Sequence, residues 1–207
     1  MNIKKEITDL YRNSILEESE KLFEGKGILK TKMDDIAQKT GFSKATLYRY
    51  FKNKNEILFT IIQTKMESLL IVFKSIENNF GTIESKFKET SDALVDFQSK
   101  YPVYFEAMIG KVSMKIEGED TPSVYRNIFL LGNEFNSIIG QMFFPDLHDK
   151  SQIEKKSFLI WSLLSGIIRM TSLKEEYVKM ISKNRKEYLD FSFKEVFMII
   201  QESKGIK

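Results

Sequence analysis

The sequence predicts an all-α fold of about nine helices, and three observations carry that expectation. Apolar residues recur at helical spacing along most of the chain, and strand-like alternation persists nowhere. Only three prolines and ten glycines interrupt 207 residues, which leaves room for long helices. Between residues 31 and 56 three helix starts follow one another, each with its own capping residues. Hydrophobic residues at 42% and charged residues at 29% fit a soluble globular chain of one or two domains.

The first helix is expected over residues 5–24, where Ile7, Leu10, Tyr11, Ile15, Leu22 and Phe23 share helical spacing. Gly25-Lys26-Gly27 stops it. A phosphate loop is the other reading of that G-x-G, but no strand precedes it and no Gly-Lys-Ser/Thr follows. Thr31 is expected to cap the second helix, with Asp34 three residues on completing a capping box. Met33, Ile36 and Ala37 form its apolar face. Thr40-Gly41-Phe42 is the turn, with Gly41 able to take a positive φ. Ser43 caps a third helix running to about Tyr50, and Asn53 with Glu56 caps a fourth. Two short helices around a tight turn have the form of a helix-turn-helix.

The second of those short helices shows what the unit suits. With Leu47 and Phe51 inward, about 40° apart around the axis, Ala45 and Arg49 point outward and Lys44, Thr46, Tyr48 and Tyr50 flank them. Such a face offers donors for phosphates and base edges and a small residue where backbones approach. Lys44 and Lys54 each stand at the first position of a helix, where the helix dipole disfavours a cation. A phosphate at each helix start accounts for both. Residues 1–55 carry a net charge of +4 and the remainder −1, so the basic excess lies with this motif.

This stretch resembles the DNA-binding domain of the TetR (tetracycline-repressor-type) family of transcriptional regulators. The resemblance rests on Ile15-Leu16, Leu22-Phe23, Gly27, Thr31, Ile36-Ala37, Gly41-Phe42-Ser43, Thr46-Leu47-Tyr48, Tyr50-Phe51 and Lys54 through Leu58, covering about the first 60 residues. Ala45 replaces a commoner Gly, Tyr50 a commoner His and Ser19 a usual Ala. The resemblance implies a three-helix DNA-binding domain, residues 1–53, and a helical ligand-binding and dimerisation body, residues 54–207. It implies nine DNA-binding residues: Ser43, with Thr31, Tyr48, Tyr50 and Lys54 at phosphates and Lys44, Ala45, Thr46 and Arg49 at the groove floor. It further implies a homodimer on a palindromic double-stranded DNA operator, most often a repressor, released by a small effector. A helical protein-binding adaptor that binds no DNA is the alternative.

After Lys54 a long helix is expected to about Phe73, then a turn over Ser75–Thr82. Further helices are expected at Ile83–Lys100, from Pro102 through Val112, at Ser123–Phe143, at Ser151–Ser172 and at Asn184–Ser203, with a polar break at Gly118–Pro122. The last two have wide apolar faces and are expected to form the dimer interface. Seventeen Phe, nine Met and one Trp suit an adaptable apolar pocket. Met66, Phe105, Met108, Phe129, Asn136, Trp161 and Ser165 are the candidate residues for an apolar or aromatic effector.

Other chemistries find little support. There is no Cys, hence no thiolate metal site or Cys nucleophile. The lone His148 sits in an expected loop between Asp146 and Asp149, without a G-x-S-x-G, HExxH or EF-hand pattern. No catalytic residue, metal site or cofactor is expected, and the chain is not expected to be an enzyme. The charged N-terminus is unlike a signal peptide. The longest uncharged runs fall short of the ~18 residues a membrane span needs. A cytoplasmic protein with no membrane partner is expected.

Overall fold

Helix follows apolar spacing throughout residues 3–109 and 123–205, which this computed structural model describes. Ten helices form among the described residues: α1 (Ile3–Lys26), α2 (Met33–Thr40), α3 (Lys44–Tyr50), α4 (Lys54–Asn78), α5 (Ile83–Lys100), α6 (Pro102–Ile109), α7 (Ser123–Phe143), α8 (Lys150–Leu173), α9 (Glu175–Ile181) and α10 (Arg185–Gly205). The fold is all-α, as expected. The expected reach of α6 to Val112 and the polar break at Gly118–Pro122 lie outside the described residues.

Several boundaries differ from the sequence reading, each for a local reason. The cap of α2 is Lys32, one residue after Thr31, and it is Asp35 rather than Asp34 that turns back to it, accepting from the Lys32 N–H at 2.7 Å. Helix α4 runs past Phe73 because Ile76, three residues on, is also buried. Thr82 caps α5 and Asp149, beside the exposed His148, caps α8 through Ser151 and Gln152. Helix α9 is additional to the nine. Only Val178 of its seven residues is buried, so no apolar period marks it.

The described chain forms two compact units. The first takes in the chain to Met66 and the segment ending at Phe129; the second begins at Glu67 and resumes at Leu130. In the first, Ile15 and Phe23 of α1, Ile36 of α2, Leu47 of α3, Phe51, and Ile57 and Leu58 of α4 are buried almost completely. Aliphatic and aromatic side chains from four helices thus meet in one small core, and burying each adds about 1.5–3 kcal/mol. Tyr125 of α7 stacks on Phe59 of α4 with ring centroids 4.4 Å apart. Burial, with Glu56 nearby, holds the Tyr125 hydroxyl above its ordinary pKa.

In the second unit α8 packs on α5 and α10, and α5 also on α6 and α10. Phe87 of α5 meets both Phe143 of α7 and Phe197 of α10, centroids 5.7 and 5.3 Å away. A polar network crosses this core. The Arg185 guanidinium donates to Gln98 Oε1 at 2.9 Å, to the Ile168 carbonyl at 3.3 Å and to Thr171 Oγ1 at 3.3 Å. Gln98 donates in turn to Ser172. Burial lowers the guanidinium's pKa, opposed in part by the charge of Glu175, and the group stays charged.

Two helices of this unit show an uncovered apolar side. On α8, Phe158, Leu159, Met170 and Leu173 are exposed, with Ser162 and Gly166 at the intervening turns. On α10 the exposed apolar residues are Phe191, Met198 and Ile199. Their spacings of three, four, seven and eight place each set on one face.

Candidate nucleic-acid interface

The first unit presents α3 through its local sequence. Gly41 ends α2 with φ 73°, a left-handed turn that a side chain would strain. Ser43 Oγ then accepts from Thr46 N–H at 3.1 Å and opens α3. Leu47 and Phe51 are buried beneath the helix. Lys44, Ala45, Tyr48 and Arg49 are exposed on its other side, and Thr46 and Tyr50 are half-buried at its flanks. The Thr46 hydroxyl is paired with Ser43 Oγ at 2.9 Å. Arg49 lies over the Tyr50 ring and donates to its hydroxyl at 3.3 Å, which stretches the guanidinium along the exposed face.

Tyr11 and Arg12 of α1 support this arrangement, and the sequence reading gave neither a part in it. Tyr11 packs edge-on against Phe42 of the turn and Tyr50 of α3, at 5.0 and 6.2 Å. Arg12 covers the Phe51 ring and donates to the Tyr50 carbonyl at 3.3 Å. A helix of seven residues is marginal alone. Here its last carbonyl and the ring of Tyr50 are held by a helix more than thirty residues away. The signal lay in Tyr11 and Arg12 standing one turn before Ile15, but nothing local named their partners.

The two lysines at helix starts have internal partners. Lys44 Nζ meets Asp34 Oδ1 of α2 at 2.7 Å. Lys54 Nζ donates to the carbonyls of Ile28 at 2.6 Å and Thr31 at 2.8 Å, and burial lowers its pKa. An opposing carboxylate and two loop carbonyls offset the unfavourable dipole that the sequence reading assigned to phosphates. Thr31 departs from its expected place in the same way. It is 1% exposed, and its hydroxyl donates to the Gly27 carbonyl at 2.9 Å and faces that of Leu22 at 3.4 Å. Thr31 and Lys54 therefore turn into the α1–α2 loop, and seven of the nine expected contact residues remain on or beside the open face of α3.

Residues 15–61 match the family model of bacterial regulatory proteins, tetR family. Over these residues the chain is similar to the tetR family. An HTH-type transcriptional regulator of Staphylococcus aureus (strain bovine RF122 / ET3-1) is 32% identical over 87 residues, 42% of this chain and 47% of that protein. The chain thus spans about half the length of the curated relatives it matches. FadR from Bacillus subtilis, solved in complex with stearoyl-CoA, has the same fold at a TM-score of 0.63 and 12% identity, over 90% of this chain and 96% of that one. A TetR/AcrR-family regulator from Thermobifida fusca YX-ER1 aligns at a TM-score of 0.60 and 20% identity, over 88% and 94%.

The candidate effector residues are dispersed. Met66 and Phe129 fall in the first unit, and the other five in the second. Phe105 is fully buried, Phe129 is exposed, and Met108 and Asn136 are half-buried. Trp161 stacks at 6.1 Å on Phe135, and Ser165 Oγ donates to the Trp161 carbonyl at 2.6 Å, a bond internal to α8. Two adjoining grooves of about 520 and 540 Å³ lie between α5 and α10, with Lys88, Asp92, Lys186, Asp190 and Phe193 common to both. None of the seven candidates lines them. Among the described residues no three of His, Cys, Asp and Glu cluster as metal ligands, and no helix is long and apolar enough to cross a membrane.

Proposed function

We propose that this chain is a tetR-family transcriptional regulator that binds a palindromic operator in double-stranded DNA as a homodimer, with α3 in the major groove. One observation carries the reading: α3 buries Leu47 and Phe51 while its exposed side offers Lys44, Ala45, Tyr48 and Arg49 around a capped start at Ser43. Arg49 and Lys44 are the donors for base edges, Ala45 lets the helix approach closely, and Tyr48, Tyr50, Ser43 and Thr46 flank them toward phosphates. One α3 reads too few base pairs for operator affinity, so two copies are required. The uncovered apolar sides of α8 and α10 supply the dimer surface.

Repression, relieved by a small apolar or aromatic effector bound in the helical body, completes the proposal. The Met- and Phe-rich body supports it, with Phe105, Met108, Asn136, Trp161 and Ser165 as candidates in the second unit and Met66 and Phe129 in the first. Long-chain acyl-CoA is the first effector to try, since it occupies the FadR of similar fold. Such a regulator works in the cytoplasm, where its DNA is. The test is binding isotherms at several salt concentrations on DNA selected from a random pool and on scrambled DNA, with and without acyl-CoA. Equal affinity for both DNAs at every salt concentration sinks operator recognition.

A further inference from the structure

We infer that Tyr11 and Arg12 of α1 are positioning residues for sequence reading: through Tyr50 they hold the Arg49 guanidinium at the setting from which it reads a base edge. The inference rests on the DNA-binding reading above. Three contacts in line carry the effect from α1 to the open face of α3.

The first holds the backbone. Helix α3 ends at Tyr50, whose carbonyl no later N–H of that helix can reach. Arg12 Nη1 donates to it at 3.3 Å, and the same guanidinium lies 4.3 Å from the centre of the buried Phe51 ring. A planar guanidinium can stack on a ring and donate from its edge at once, which a lysine ammonium does not do. A cation also suits the C-terminal end of a helix. The second contact holds the ring. Tyr11 meets Tyr50 at 6.2 Å and Phe42 at 5.0 Å, edge-on in both cases. Phe42 directly precedes the Ser43 cap, so one side chain of α1 touches both ends of α3. Edge-on pairs set the orientation of a ring as well as its distance. The third contact passes this setting on. Arg49 lies 5.4 Å from the centre of the Tyr50 ring and donates to its hydroxyl at 3.3 Å. Arg49 is exposed, and a long side chain without such a tether samples many rotamers that binding must then freeze out.

Positioning and mere support of the fold predict different behaviour. Lost support weakens binding to every DNA alike. Lost positioning costs preference at the base pair that Arg49 reads and leaves the sequence-independent attraction to phosphates. Full-length wild type, Tyr11→Phe, Tyr11→Leu, Arg12→Lys, Arg49→Ala and the double variant Arg12→Lys/Arg49→Ala are to be titrated with selected DNA, its single-base variants and scrambled DNA. Tyr11→Leu and Arg12→Lys are expected to lose about tenfold of the preference at the base pair that Arg49→Ala identifies, the size of one edge-on ring contact or one weak charge-assisted hydrogen bond. Both should bind scrambled DNA as the wild type does, with the same salt slope. Tyr11→Phe keeps the ring and should match the wild type. The double variant should lose no more preference at that base pair than Arg49→Ala alone, since nothing is left to position. Amide hydrogen exchange of the DNA-free protein is the second measurement. It should quicken at Tyr50 and Phe51 in Tyr11→Leu and Arg12→Lys, while the buried amides of α4 keep their protection. A uniform loss across all DNAs, an additive double variant, Tyr11→Phe as weak as Tyr11→Leu, or unchanged exchange at Tyr50 and Phe51 overturns the inference. Should the wild type fail to prefer selected over scrambled DNA, the DNA-binding reading fails instead, and the exchange data still decide whether α1 holds the end of α3.

Discussion

Asp34 of α2 and Lys44 at the start of α3 face each other across the turn, Oδ1 to Nζ 2.7 Å, with side chains 62% and 60% exposed. The Asp34 carboxylate raises the Lys44 pKa, first by its hydrogen bond and then by its charge. A pair so open to water adds little to stability. Its effect on DNA binding is larger, since it places a negative charge beside the proposed groove-reading face. Asp34→Asn is expected to leave the melting temperature nearly unchanged and to tighten binding to all DNA at low salt by a few-fold, with a steeper salt slope. Isotherms on selected and scrambled DNA check this; weaker binding to both contradicts it.

Arg49→Ala removes an exposed donor that lies over Tyr50. It is expected to relax preference at one base pair per half-site, at about 1–3 kcal/mol, while scrambled DNA is bound almost as before. Binding to a panel of single-base operator variants is the readout. A uniform loss across the panel assigns Arg49 to phosphate instead.

The α8 and α10 faces predict a dimer of about 48 kDa from a 24.2 kDa chain. Leu159→Glu and Phe191→Glu each put a charge on an already exposed position, so the monomer fold has no reason to suffer. Both variants are expected to sediment as monomers at micromolar concentration and to lose operator binding together with dimerisation. A wild-type monomer, or dimers in both variants, excludes this interface.

Asp35 titrates below its ordinary value of 3.8, held down first by the Lys26 hydrogen bond and then by the Lys32 N–H. A carboxylate whose folded pKa is depressed contributes stability that is fully present above the unfolded pKa and is lost as pH falls through the folded one. The start of α2 should therefore hold at pH 5 and loosen only below the ordinary aspartate range. Carboxyl NMR should find the Asp35 midpoint below 3.8, and Lys26→Ala should raise it. An Asp35 midpoint at or above 3.8 in the wild type removes the Lys26 contact from solution.

Gly140 lies where α7 faces α8, and a Cβ there would meet Ile153 Cγ2 at 2.4 Å and Ser157 Oγ at 3.4 Å. Gly140→Ala forces Ile153 to shift, at a cost of about 1–3 kcal/mol that outweighs the gain in helix propensity. Chemical denaturation measures it; a stabilised variant shows that Ile153 moves freely.

Sequence and structure agree where the cause is local. Ser43, Asn53 and Gly41 act as caps and turn because each interacts within three residues, and burial of Leu47 and Phe51 follows from helical phase alone. They part where the choice is made at a distance. Thr31 resembles a cap by type, but its hydroxyl is taken by the end of α1, so Lys32 and Asp35 close the helix. Lysines at helix starts looked like anion sites, and only the folded chain brings Asp34 and two loop carbonyls to them. Helix α9 has one buried residue and no period to read. The α5–α10 grooves join segments nearly a hundred residues apart, beyond any spacing rule.

Arg185 ties α10 to α5 and α8 at once, and that fixes phase. Were α10 to slip by one turn, about 5.4 Å, an all-aliphatic contact would lose little, since one apolar ridge fits much like the next. The guanidinium opposes such a slip: Gln98, Thr171 and the Ile168 carbonyl accept it at one setting, and any other gives up these charge-assisted bonds. The exposed residues of α8 and α10 are thereby locked in step, so that two helices from separate stretches of chain present a single template to whatever pairs with them.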